Sequence, residues 1–94
     1  MTLAREIKIL NYIHRHTVVT GKQLTKKFPD IDEYYYHLKE KNIRVEKASN
    51  AYSKEDRDKM KISGDEPIIY LTTFGDDVVL KHRREFWNLY CHME

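Results

Sequence analysis

Five histidines and one cysteine are the residues of this 94-residue chain best suited to metal or nucleophilic chemistry. His14 and His16 are two positions apart, so on a helix they diverge, and His82 and His92 are separated by nearly three turns. No pair has the spacing with which one helix face offers two imidazoles to one ion, and Cys91 stands alone beside His92. Neither a metal site nor a cofactor is expected. No serine or cysteine sits on a glycine-flanked elbow, and no glycine-rich phosphate loop occurs, so no catalytic residue and no enzymatic activity are expected. Asp76–Asp77 forms a carboxylate pair on paper, but acids opening a helix account for it.

The remaining chemistry is charge. Lys22, Lys26 and Lys27 lie off the apolar face marked by Leu24 and Phe28. They read either as a solvated face or as contacts to phosphates. Residues 1–28 carry six cations and one acid, +5, which leaves −3 for the rest of a chain whose total is +2. That asymmetry suits a polyanion-facing side. The stretch "PDIDEYYYHLKEKNI", from Pro29 to Ile43, has the opposite sign: four acids and two lysines over residues 30–41. At about 100° per residue, Ile31 and Leu38 centre its buried face with Tyr34 and Tyr35 at the edges. Glu33, Tyr36, His37 and Glu40 fall outermost, with Asp32 and Lys39 beside them.

These side chains need elements to hold them. Leu3, Ile7, Leu10 and Ile13 recur at helical spacing, with Ile9 and Tyr12 widening the stripe, so a helix is expected over about residues 3–15 with Thr2 as its cap. Thr17, Val18 and Val19 suit a short strand added to a sheet edge. Thr20 and Gln23 have capping-box spacing for a second helix, which Pro29 ends. Asp30 with Glu33 repeats the start signal, and Asn42 can close the third helix in the left-handed conformation. "IRVEK" and "PIIYLT" read as two strands that pair antiparallel. The polar segment between them reads as a long mobile hairpin tip, in which "SKEDRDKM" could make a turn or two of helix with Ser53 as cap. A long last helix follows from Thr72 or Thr73, with Phe74, Val78, His82, Phe86, Leu89 and Met93 as its stripe.

The order helix, strand, helix, helix, strand, loop, strand, helix resembles that of winged-helix proteins over the whole chain. "IIYLTTFGDDVVLKHRREF" is similar to the end of many small bacterial and phage members, where the second wing strand runs into "LT", a glycine and a long helix. "HLKEKNIRV" is similar to the passage from their recognition helix into the first wing strand. The resemblance implies one α+β winged helix-turn-helix domain over residues 1–94. It has a three-helix core, a two- to three-stranded antiparallel wing sheet over about residues 44–72, and a C-terminal helix over about 73–92. It further implies a small bacterial or phage regulator of transcription binding double-stranded DNA, with Lys22, Gln23, Lys26, Lys27, Tyr36, His37 and Lys39 as contacts. Phe86, Trp87 and Tyr90 either pack on the first helix or form a homodimer interface, as last helices of such proteins often do. The acidic third helix supports an alternative, a winged helix used for protein contacts as an adaptor or an inhibitor from a mobile element. A lone cysteine, an N-terminus with Arg5, Glu6 and Lys8 inside it, and no long apolar run lead to the expectation of a cytoplasmic protein outside any membrane.

Overall fold

A computed structural model of the chain describes the backbone of residues 4–92 and the side chains through residue 84. The elements are α1 (Ala4–His16), β1 (Val18–Thr20), α2 (Gly21–Lys27), α3 (Asp32–Lys41), β2 (Ile43–Lys47), α4 (Ala48–Ala51), α5 (Lys54–Met60), β3 (Pro67–Leu71) and α6 (Thr73–His92). This is an α+β arrangement of helices around one three-stranded antiparallel sheet in the order β1-β3-β2.

β3 is the central strand. It pairs with β2 from Ile43↔Leu71 to Lys47↔Pro67 and with β1 from Val18↔Tyr70 to Thr20↔Ile68. Val19, Ile69 and Val45 therefore lie in one row across the sheet, on the face that the helices cover. Ile9, Leu10 and Ile13 of α1, Leu24 and Phe28 around α2, Ile31 and Leu38 around α3, and Val79 of α6 complete that core. Burying each large aliphatic side chain is worth about 1.5–3 kcal/mol, so this row and its helices account for most of what holds the fold.

α1 shows how the expected stripe was rotated. Its buried residues are Glu6, Ile9, Leu10 and Ile13, whereas Ile7 is only half-buried. A charged residue occupies an inward position because it finds a partner there, as described below. Thr2 and Leu3 lie outside the described residues. α1 turns into β1 at Thr17, whose φ of 66° is unusual for a β-branched residue.

α2 begins as expected: Thr20 Oγ1 accepts from the Gln23 amide at 3.1 Å, and Gln23 Oε1 accepts from the Thr20 amide at 2.9 Å. α3 does not. Asp30 makes no side-chain cap, because Arg5 engages both its carboxylate oxygens, and Ile31 precedes the helix in a helical conformation instead. Asn42 also departs from expectation. Its φ of −97° and ψ of −33° are right-handed, and its carbonyl accepts from the Thr72 amide at 2.9 Å.

The polar segment after β2 is the largest correction. α4 and α5 occupy it, and backbone bonds from Ala48 to Glu66 and from Ser49 to Gly64 extend the pairing of β2 and β3 beyond the strands. Ser53 Oγ accepts from the Asp56 amide at 3.2 Å, Glu55 and Asp56 lie in the first turn, and Lys61 closes α5 at φ 60°. Local capping thus orders a segment that has no apolar period to reveal it.

α6 starts from Thr72, whose hydroxyl accepts from the Gly75 amide at 3.0 Å. Gly75 and Val79 face inward, whereas Phe74 is 52% exposed and His82 is exposed. The stripe read through Phe74, Val78 and His82 is therefore offset. A glycine contributes no hydrophobicity to a periodic pattern, yet here it lets the helix sit directly on the Asn42 carbonyl.

Candidate functional site

α3 presents an acidic outer face. Asp32, Glu33 and Glu40 are exposed, and Tyr36, at 78% exposure, stands among them. Tyr34 and Tyr35 are half-buried against the core, as their angular positions require. The Lys39 ammonium lies 5.7 Å from the Tyr35 ring centroid, so the lysine folds back on its own helix. His37 faces outward with one edge only. Its Nδ1 is 3.0 Å from Glu6 Oε2, and the Glu6 side chain is 3% exposed. His37 is thus the described partner of a buried carboxylate, a duty that its sequence position did not suggest.

The three lysines of α2 are exposed but do not form one surface. Lys22 is drawn to Glu66, a buried residue of the segment entering β3. Glu66 accepts from the Lys22 amide at 3.3 Å, and its other oxygen is 3.8 Å from Lys22 Nζ. Lys22 and Lys26 border a shallow hollow over Gly21 and Pro67. Gln23 is exposed, with its oxygen held in the cap of α2. Lys27 points to a different place.

That place is a groove of about 400 Å³ between α1 and the end of α2, lined by Lys8, Asn11, Tyr12, Arg15, Lys27 and Phe28. Arg5 closes one end. Its Nε and Nη2 donate to the two Asp30 oxygens at 2.9 and 2.7 Å, and its guanidinium lies 4.9 Å from the Phe28 centroid. The hydrogen bond from Arg5 holds the Asp30 carboxyl below its ordinary pKa and raises that of Arg5 itself. The floor is aromatic: Tyr12 meets Phe28 edge-on at 5.6 Å, and His16 lies against Tyr12 at 4.5 Å. On the far side of α1, Arg83 of α6 donates to Asn11 Oδ1 from Nε at 3.1 Å and Nη2 at 2.6 Å.

Arg5, Lys8 and Arg15 count in the sequence as part of the +5 charge of residues 1–28. Their spacing carried more: positions 5, 8, 12 and 15 fall on one helix face. Lys27 joins that face only through the fold. Elsewhere, His14 Nε2 and Asp76 Oδ1 stand 3.5 Å apart beside a hollow of about 430 Å³ that also meets Thr17 and Tyr70. Among the described residues no three His, Cys, Asp or Glu side chains gather as a metal site. The side chains of Phe86, Trp87 and Tyr90, read as a dimer interface, lie outside the described residues. No helix among the described residues is long and apolar enough to cross a membrane. No protein-family model matches the chain, and no curated protein or solved structure matches it.

Proposed function

We propose that the chain is a winged-helix domain that binds double-stranded DNA as a small transcriptional regulator, without cofactor and without enzymatic activity. The reading rests on one observation above all. α2 and α3 are joined by a tight turn at Pro29–Asp30, and the strand order β1-β3-β2 sets a β2–β3 hairpin beside α3. The exposed cations of α1 and α2 add to it, since neutralising phosphates is the main source of non-specific affinity for DNA. In this reading α4 and α5 form the end of the wing, and α6 carries a second copy of the chain. Leu80, 44% exposed on α6, supports an uncovered apolar side there.

A second reading has its own observation. Tyr36 protrudes among Asp32, Glu33 and Glu40, a surface better suited to a basic protein partner than to a phosphate backbone. The domain would then act as an adaptor or inhibitor rather than a regulator. A salt titration of binding to a random-sequence duplex separates the two. DNA binding requires an association constant that falls steeply and linearly with salt on logarithmic axes. No binding at low salt overturns the DNA reading in favour of protein contact.

A further inference from the structure

The cations of this domain are not where a recognition helix would need them. α3 offers phosphates three exposed carboxylates, and its Lys39 and His37 are engaged with Tyr35 and Glu6. α1 is the reverse. Its solvent face carries Lys8 and Arg15, both exposed, and across the groove stands Lys27. Among the described residues none of these three has an ion-pair partner, and Asp30, the acid bound by the groove residue Arg5, has both its carboxylate oxygens taken.

We propose that this groove between α1 and the end of α2, rather than the outer face of α3, receives the backbone phosphates of duplex DNA; the proposal deepens the DNA-binding reading and rests on it. Lys8 and Arg15 are two helical turns apart, about 10 Å along the axis. Measured along the duplex axis, one strand carries a phosphate about every 3.4 Å, so with α1 parallel to that axis the pair would cover roughly three phosphates of one strand. Lys27 approaches from the opposite wall. The Tyr12–Phe28 pair floors the groove between its two walls. By taking Asn11 Oδ1, Arg83 turns the Asn11 amide nitrogen, which has no partner among the described residues, into a donor for a phosphate oxygen. Arg5 is a positioning residue, because its carboxylate partner ties the groove to the start of α3.

The test compares two sets of exposed lysines and arginines in the full chain. One variant is Lys8→Ala/Arg15→Ala/Lys27→Ala; the other is Lys22→Ala/Lys26→Ala. Binding to a random-sequence duplex is followed by fluorescence anisotropy across a salt series, and circular dichroism confirms that both variants fold. The groove variant is expected to flatten the logarithmic salt slope by about 0.9 for each lost phosphate contact, between two and three in all. The Lys22/Lys26 variant should change it by less than about 1. A groove variant with the wild-type slope overturns the groove and leaves DNA binding standing. Wild type that binds no duplex overturns both. As an independent map, amide shifts on adding inorganic tripolyphosphate to wild type should cluster at residues 8–15 and 27–28. Shifts centred on residues 32–40 would place the phosphate site on α3 and refute the assignment.

Discussion

Gly75→Ala sets two effects of known size against each other. Gly75 lies inside α6, where alanine is intrinsically better than glycine by about 1 kcal/mol. On helix propensity alone the variant should be more stable. The packing says otherwise. A Cβ built on Gly75 overlaps the Asn42 carbonyl oxygen, stands 3.0 Å from the carbonyl carbon and 3.3 Å from the Asn42 Cα. All three are backbone atoms at the junction of α3 and β2, so none can swing aside. To make room, α6 must lift from the core or the Asn42 peptide must turn. Overpacking of this kind costs about 1–3 kcal/mol. Turning the peptide also strains the bond that the Asn42 oxygen accepts from the Thr72 amide at 2.9 Å, worth about 1 kcal/mol. The net expectation is a destabilisation of about 1–3 kcal/mol, a fall in midpoint temperature of roughly 4–24 °C for a domain of this size. Gly21→Ala is the control. Its Cβ would meet Pro67 side-chain atoms at 3.4 Å, an ordinary contact, so its stability should move by less than about 1 kcal/mol. Urea denaturation followed by circular dichroism reads both. A Gly75→Ala protein as stable as wild type, or more so, would show that α6 does not rest on the Asn42 carbonyl.

The pair Arg5–Asp30 predicts an acid limb. Because the folded Asp30 carboxyl is held below its ordinary value, the pair contributes stability above the unfolded value of about 3.9 and loses it as pH falls through the folded one. Asp30→Asn should therefore be less stable than wild type at neutral pH, with the gap in urea midpoint closing as pH drops below about 4; a gap independent of pH would refute this. His37→Ala leaves the buried Glu6 carboxylate without its described partner, at a cost of about 1–3 kcal/mol, and Glu6→Leu in the same background should recover most of it. A silent His37→Ala in thermal melts would mean that water serves Glu6 equally well. For the proposed homodimer, Phe86→Ala and Trp87→Ala should shift sedimentation toward monomer, and a wild-type chain monomeric at high concentration would remove that proposal.

What the sequence makes legible here is whatever is local or strictly periodic. Thr20 and Gln23 announce α2 because both halves of the capping box lie within four residues. "IRVEK" and "PIIYL" pair in the expected antiparallel sense because alternation and β-branching are properties of the strand itself. Two kinds of error mark the limit. α4 and α5 are held by caps and by backbone bonds to Gly64 and Glu66, none of which leaves an apolar period. The inward faces of α1 and α6 are offset from their apolar stripes by single residues, Glu6 and Gly75, that a hydrophobicity count scores as outsiders. Each sits inside because of one particular atom elsewhere, a histidine nitrogen for Glu6 and a carbonyl oxygen for Gly75.

The candidate site was less legible than the fold for the same reason, and α1 shows how. Adjacent residues of opposite charge, Arg5 and Glu6, reach to opposite stretches of α3: Arg5 to Asp30 before its first turn, Glu6 to His37 in its second. Neither partner can be inferred from spacing, since the partners lie 25 and 31 positions away in the chain. Yet these two contacts decide the charge geography of the domain. They take Asp30 out of the capping role, take one edge of His37 out of the outer face of α3, and fix α1 with its remaining cations turned outward. A helix anchored in this way by its polar neighbours has few cations left to offer a phosphate. The helix that anchors it keeps Lys8 and Arg15 free among the described residues and gains Lys27 across the groove. The same two pairs that seat α3 therefore leave α1 as the element whose loss of charge DNA binding should register first.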